Sequence, residues 1–91
     1  MDPNDLMVSL GWQILEHKWR YYVGRAHGID TISDQEYDEL EDKYVGACMA
    51  VGEEPYSNVV GFTFERASCR IVHEKMCNKY GLIAKDCMVI L

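Results

Sequence analysis

The sequence predicts a small all-α domain of three helices. Apolar residues recur at three- and four-residue spacing in three successive blocks. A capping sequence opens the middle block, and a glycine follows each of them. The 91 residues are 48% hydrophobic, enough for one compact core, so the chain is expected to be a single domain over residues 1–91 rather than disordered. One short extended segment is expected near residues 59–64, where β-branched and aromatic side chains flank Gly61.

For the first helix, Asp2 or Asn4 is the expected cap, with Pro3 tolerated in the opening turn. Leu6, Leu10, Ile14, His17 and Tyr21 form one stripe, and Val8, Trp12, Leu15, Trp19 and Tyr22 form another. An apolar surface that wide predicts contact with two neighbours or with a partner chain. Gly11 lies inside this helix, where it costs up to about 1 kcal/mol relative to alanine, and Gly24 and Gly28 break the pattern.

The second helix has the plainest start. Ser33-Asp34-Gln35-Glu36 is a capping box: the Ser33 hydroxyl accepts from the Glu36 amide, and the Glu36 carboxylate is expected to reach back to the Ser33 amide. Ile32 and Tyr37 are spaced for a hydrophobic staple across the same turn. Tyr37, Leu40, Tyr44 and Cys48 supply the inward stripe, which ends near Gly52. After a connection through Pro55, a third helix is expected from about Glu65 to Tyr80, with Cys69, Val72, Met76 and Tyr80 inward and Gly81 just past its end. The apolar tail, Cys87-Met88-Val89-Ile90-Leu91, is expected in the core or at a docking edge.

Charge is unevenly distributed. Three acids balance three bases in residues 1–29, nine acids face Lys43 alone in residues 30–54, and residues 61–91 come to +2, giving −6 in total. The acidic middle repels phosphate, so direct DNA binding is not expected, whereas a basic partner or a cationic ligand suits it. No apolar run approaches the roughly 18–20 residues of a membrane span, and the N-terminal Met1-Asp2-Pro3-Asn4-Asp5 is unlike a secretory signal. The expected location is the cytoplasm. Four cysteines without a Cys-x-x-Cys pair are expected to be buried free thiols. Cys69, His73 and Cys77 share one helix face by spacing, but three ligands on one helix do not enclose a tetrahedral zinc, so no metal is expected.

Chemistry concentrates between Tyr21 and Tyr44. Asp34 and Asp38, four residues apart, repel one another by about 0.2–0.5 kcal/mol on a helix surface. Beside tyrosine faces, carboxylates suit a flat cationic ligand bearing hydroxyls, because aromatic rings attract cations and carboxylates accept hydrogen bonds. The plainer alternative is a packed helix junction with solvated acids.

Residues from about Leu10 to Gly61 resemble the N-terminal Ia domain of bacterial NAD-dependent DNA ligases. The motifs that carry the resemblance are Tyr21-Tyr22-Val23 and Ile32-Ser33-Asp34-Gln35-Glu36-Tyr37-Asp38-Glu39-Leu40. Pro55-Tyr56-Ser57-Asn58-Val59-Val60-Gly61 is similar, more faintly, to the linker into the ligase adenylation domain. The resemblance implies that Tyr21, Tyr22, Asp34, Tyr37 and Asp38 hold the nicotinamide mononucleotide (NMN) half of NAD. The chain departs from the family in its Gly24–Thr31 loop, which is longer and lacks an Ala-Pro pair. It also has no Lys-x-Asp-Gly motif, whose lysine would attack the α-phosphate. Residues 62–91 lie outside the resemblance.

The expected function is therefore a non-catalytic, stand-alone module that binds NMN or NAD and acts with or on a protein partner, such as a separately encoded adenylation-domain protein. A phage gene is the expected kind of source. The alternative is an acidic interaction module or phage-type inhibitor that mimics nucleic acid toward a basic host enzyme or defence complex. A third reading is a homodimer closed through the first helix and the apolar tail.

Overall fold

The Asp2 carboxylate accepts a hydrogen bond from the Asn4 amide at 2.8 Å and starts helix α1, Pro3–Tyr22. Pro3 occupies the first turn, where its missing N–H costs nothing. The computed structural model describes residues 2–54 and 62–87. Two further helices follow, α2 over Asp34–Val51 and α3 over Ala67–Tyr80, and there is no strand among the described residues. The protein is all-α, as the periodicity predicts. The expected extended segment falls largely outside the described residues, and Phe62 and Thr63 are irregular.

Helix α1 is the central element, with α2 packed on one side and α3 on another. Its buried positions are Leu10, Gly11, Ile14, Leu15, Lys18 and Trp19. Leu10 and Ile14 meet Tyr44, Ala47 and Cys48 of α2, with Tyr37 and Leu40 packed at the margin. Leu15, Trp19 and Val23 meet Cys69, Val72, Met76 and Cys77 of α3, together with Phe62 and Cys87. The two apolar stripes thus each serve one neighbour, but only over the middle of the helix. Leu6, Val8, Trp12, Tyr21 and Tyr22 are exposed. They belong to the predicted stripes yet lie where neither partner helix covers them.

Helix α2 opens on the predicted cap, with the Ser33 hydroxyl accepting from the Glu36 amide at 3.1 Å. The return contact differs from the expected one: the Glu36 carboxylate accepts from the Ser33 hydroxyl, also at 3.1 Å. At the far end Gly52 has φ 75°, and the Glu53 amide donates to Cys48 O at 2.9 Å. That left-handed residue closes a Schellman ending, which glycine adopts without the Cβ penalty. Helix α3 ends the same way at Gly81.

Helix α3 begins two residues later than expected. The Glu65 amide donates to the Thr63 hydroxyl at 3.3 Å and the Arg66 amide to Thr63 O at 3.4 Å, so a separate turn precedes it. Arg70 fixes that turn by donating to Phe64 O at 2.7 Å and Glu65 O at 3.0 Å. Tyr80, expected inward, is 38% exposed, although its ring stacks parallel to that of Trp19 at 6.0 Å.

The α1–α3 core is organised around Trp19, which is fully buried. Its indole N–H donates to His73 Nδ1 at 2.9 Å, and His73 Nε2 lies 2.7 Å from Ala84 O in the 3-10 turn Ala84–Cys87. An indole is only a donor and a carbonyl only an acceptor, so His73 is the neutral tautomer with its proton on Nε2. One side chain therefore ties three segments and leaves no polar atom of this group unpaired. Cys87 is buried here, while the rest of the apolar tail lies outside the described residues.

Candidate functional site

The end of α1 and the start of α2 face one another because a short turn reverses the chain. Gly24–His27 forms a 3-10 turn, and the Ile29 amide donates to Gly24 O at 3.0 Å. A Cβ on Gly24 would stand 3.0 Å from the Trp19 ring and 3.2 Å from Ile29 Cβ. A larger residue would need the indole or Ile29 to give by a few tenths of an ångström.

Of the five predicted site residues, Tyr21 and Tyr22 end α1, 51% and 40% exposed. Their rings meet edge to face at 4.9 Å, a favoured aromatic geometry. Tyr37 is half-buried against the α1–α2 core. Its phenol is pushed up to about 12, first by burial and then by Glu41, Tyr22 and Asp38. Tyr22, Asp38 and Glu41 thus act electrostatically on the Tyr37 phenol. Asp34 is exposed in the first turn of α2, one turn before Asp38.

Three nearby groups lie outside the recognised motif, although Glu41 and Arg25 stand four residues after Tyr37 and Tyr21. Glu41 joins the acids around Tyr37 one turn beyond the recognised motif. The Arg25 guanidinium lies over the Tyr21 ring, 5.0 Å from its centroid. Lys18, only 8% exposed, is held below the ordinary lysine range chiefly by burial, with Glu41 opposing that shift. A buried lysine amid apolar positions is masked by the periodicity of its neighbours, and its long stem lets it lie along apolar surface.

A concavity lies between the same two helices. It has a volume of about 280 Å³ and is lined by Gln13, His17, Ile32, Glu36, Glu39, Leu40 and Lys43. None of the five predicted residues lines it. His17 is lowered from its usual value by burial first and by Arg20 second, against Glu16 and Glu36. Arg20 Nη1 stands 3.3 Å from His17 Nδ1, a contact in which the guanidinium can only donate and the ring nitrogen must accept.

The cysteines are all free and buried. Burial and the neighbouring Cys87 push the Cys77 thiol up to about 11, which keeps it protonated and a poor nucleophile at neutral pH. Cys69, His73 and Cys77 do share a face of α3, yet both His73 nitrogens are engaged. No group of three metal-ligating side chains converges among the described residues. No helix among them is long and apolar enough to cross a membrane. Compared with known proteins, the chain matches no family model, no curated protein and no solved structure.

Proposed function

We propose that the α1–α2 hairpin is a ligase Ia-like module that binds the NMN part of NAD, without catalysing a reaction by itself. The observation that carries this reading is the exposed, edge-to-face Tyr21–Tyr22 pair at the end of α1, with Tyr37 and the acids Asp38 and Glu41 following on α2. Exposed aromatic faces attract a pyridinium ring, and the acids beside them accept from ribose hydroxyls and add attraction for its positive charge. No lysine of these 91 residues stands in a Lys-x-Asp-Gly context, so in this reading adenylyl transfer is carried out by a separate adenylation domain. The role of this chain is to orient the nicotinamide end while that domain works on the phosphate, a positioning contribution.

Calorimetric titration with NMN and NAD tests the reading. The expected result is saturable binding that Asp34→Asn with Asp38→Asn abolishes while the thermal midpoint stays at or above that of the parent chain. Absence of heat and saturation up to millimolar ligand would remove the independent-binding reading.

A second reading rests on α2 itself. Asp34, Glu36, Asp38, Glu39 and Asp42 are exposed along it, a charge pattern suited to the basic groove of a nucleic-acid-binding protein. An inhibitor of that kind spreads its affinity over many acids. Its binding would fall steeply with salt and change little on removing two carboxylates.

A further inference from the structure

The exposed tyrosine pair lies in a basic stretch of the sequence, and an acidic stretch follows it. Residues 17–29 contain Lys18, Arg20 and Arg25 and no acid, whereas residues 30–42 contain seven acids and no base. Lys18 is buried with Glu41 acting on it, and Arg20 is turned to His17. Arg25 is exposed and reaches over the Tyr21 ring at 5.0 Å. Its backbone is held by the turn, in which Gly28 N donates to Arg25 O at 3.2 Å and Ile29 N to Gly24 O at 3.0 Å.

We propose that Arg25 takes the phosphate of the bound mononucleotide and sets a preference for NMN over nicotinamide riboside. The inference rests on the nicotinamide reading of the tyrosine–carboxylate site and names one more residue of it. A pyridinium and a guanidinium are both cations that favour the face of an aromatic ring. Nicotinamide riboside brings only positive charge, so Arg25 competes with it for Tyr21 and repels it. NMN carries the same ring and a phosphate ester that is largely doubly ionised at neutral pH. The guanidinium can leave the ring face and donate two parallel hydrogen bonds to that phosphate. The pyridinium is then drawn to the side of Asp38 and Glu41, the phosphate to the side of Arg25. A zwitterion fits this arrangement better than either a simple cation or a simple anion.

The test is a calorimetric titration of the whole chain with NMN and with nicotinamide riboside, for the parent, Arg25→Gln and Arg25→Lys. The parent is expected to bind NMN about tenfold more tightly than the riboside. Arg25→Gln should bring the two affinities to within about twofold by weakening NMN, and Arg25→Lys should fall between. Helicity and melting should be unchanged, because the side chain is exposed. An unchanged NMN-to-riboside ratio in Arg25→Gln, or an equal loss for both ligands, overturns the role of Arg25 while the clamp stands. Binding of neither ligand to the parent chain overturns both.

Discussion

Individual side chains in this protein carry more consequence than their chemistry advertises. His73 accepts from the only buried indole and donates to a carbonyl of the C-terminal turn. Its replacement by alanine strands both groups and opens a cavity, at a cost of about 2–4 kcal/mol. A domain of this size has only about 5–15 kcal/mol in all, so urea denaturation of His73→Ala should show a much lower midpoint. His17 gives a pH dependence whose sign follows from its lowered value. The unfolded chain binds the proton more readily, so its contribution is fully present above about pH 6.5 and is lost as pH falls below that. Stability of the parent should therefore drop between pH 7 and pH 5 by more than that of His17→Gln, measured by parallel urea titrations. Equal slopes would show that the burial of His17, with Arg20 beside it, does not couple its protonation to folding.

Helix ends were legible in the sequence, and burial along helix faces was legible only in part. Asp2, Ser33, Gly52 and Gly81 cap or close their helices as predicted because capping is local chemistry among residues a few positions apart. Ser33→Ala should accordingly cost about 1 kcal/mol, read as a lower thermal midpoint with the same folded spectrum. The exposure of Leu6, Val8 and Trp12 was hidden because it depends on how far α2 and α3 extend along α1. The inward position of His73 was hidden for a related reason: its partner Trp19 lies 54 residues away. At the proposed site, the motif marked Tyr22, Tyr37 and Asp38, and Tyr22 and Asp38 both act on the Tyr37 phenol. The motif did not include Glu41 or Arg25, although each stands four residues after a motif tyrosine, the spacing that makes helix neighbours. Asp38 also shows why stability and binding should separate. Removing one of two like charges four residues apart stabilises a helix by about 0.2–0.5 kcal/mol, so Asp38→Asn should melt at or slightly above the parent temperature and yet lose the ligand.

Taken whole, the molecule is two small cores sharing one helix, with the proposed site at the turn end of the α1–α2 hairpin. The α1–α3 core fixes Trp19, the indole sets the approach of Gly24, and that turn sets where α2 begins relative to the tyrosines. Net charge of −6 lies mostly on residues 30–54, so a cationic ring is attracted to the acidic side from a distance and the attraction weakens with salt. The central claim is that Tyr21, Tyr22 and Tyr37 form a nicotinamide clamp. Its most direct measurement is a two-dimensional NMR titration of the tyrosine ring signals with NMN. The account predicts saturable shifts at those three residues and none at Tyr80. Backbone amide shifts confined to Gln13, His17 and Lys43 in the same titration would place the ligand in the concavity those residues line, and unmoved tyrosine signals up to millimolar NMN would rule the clamp out.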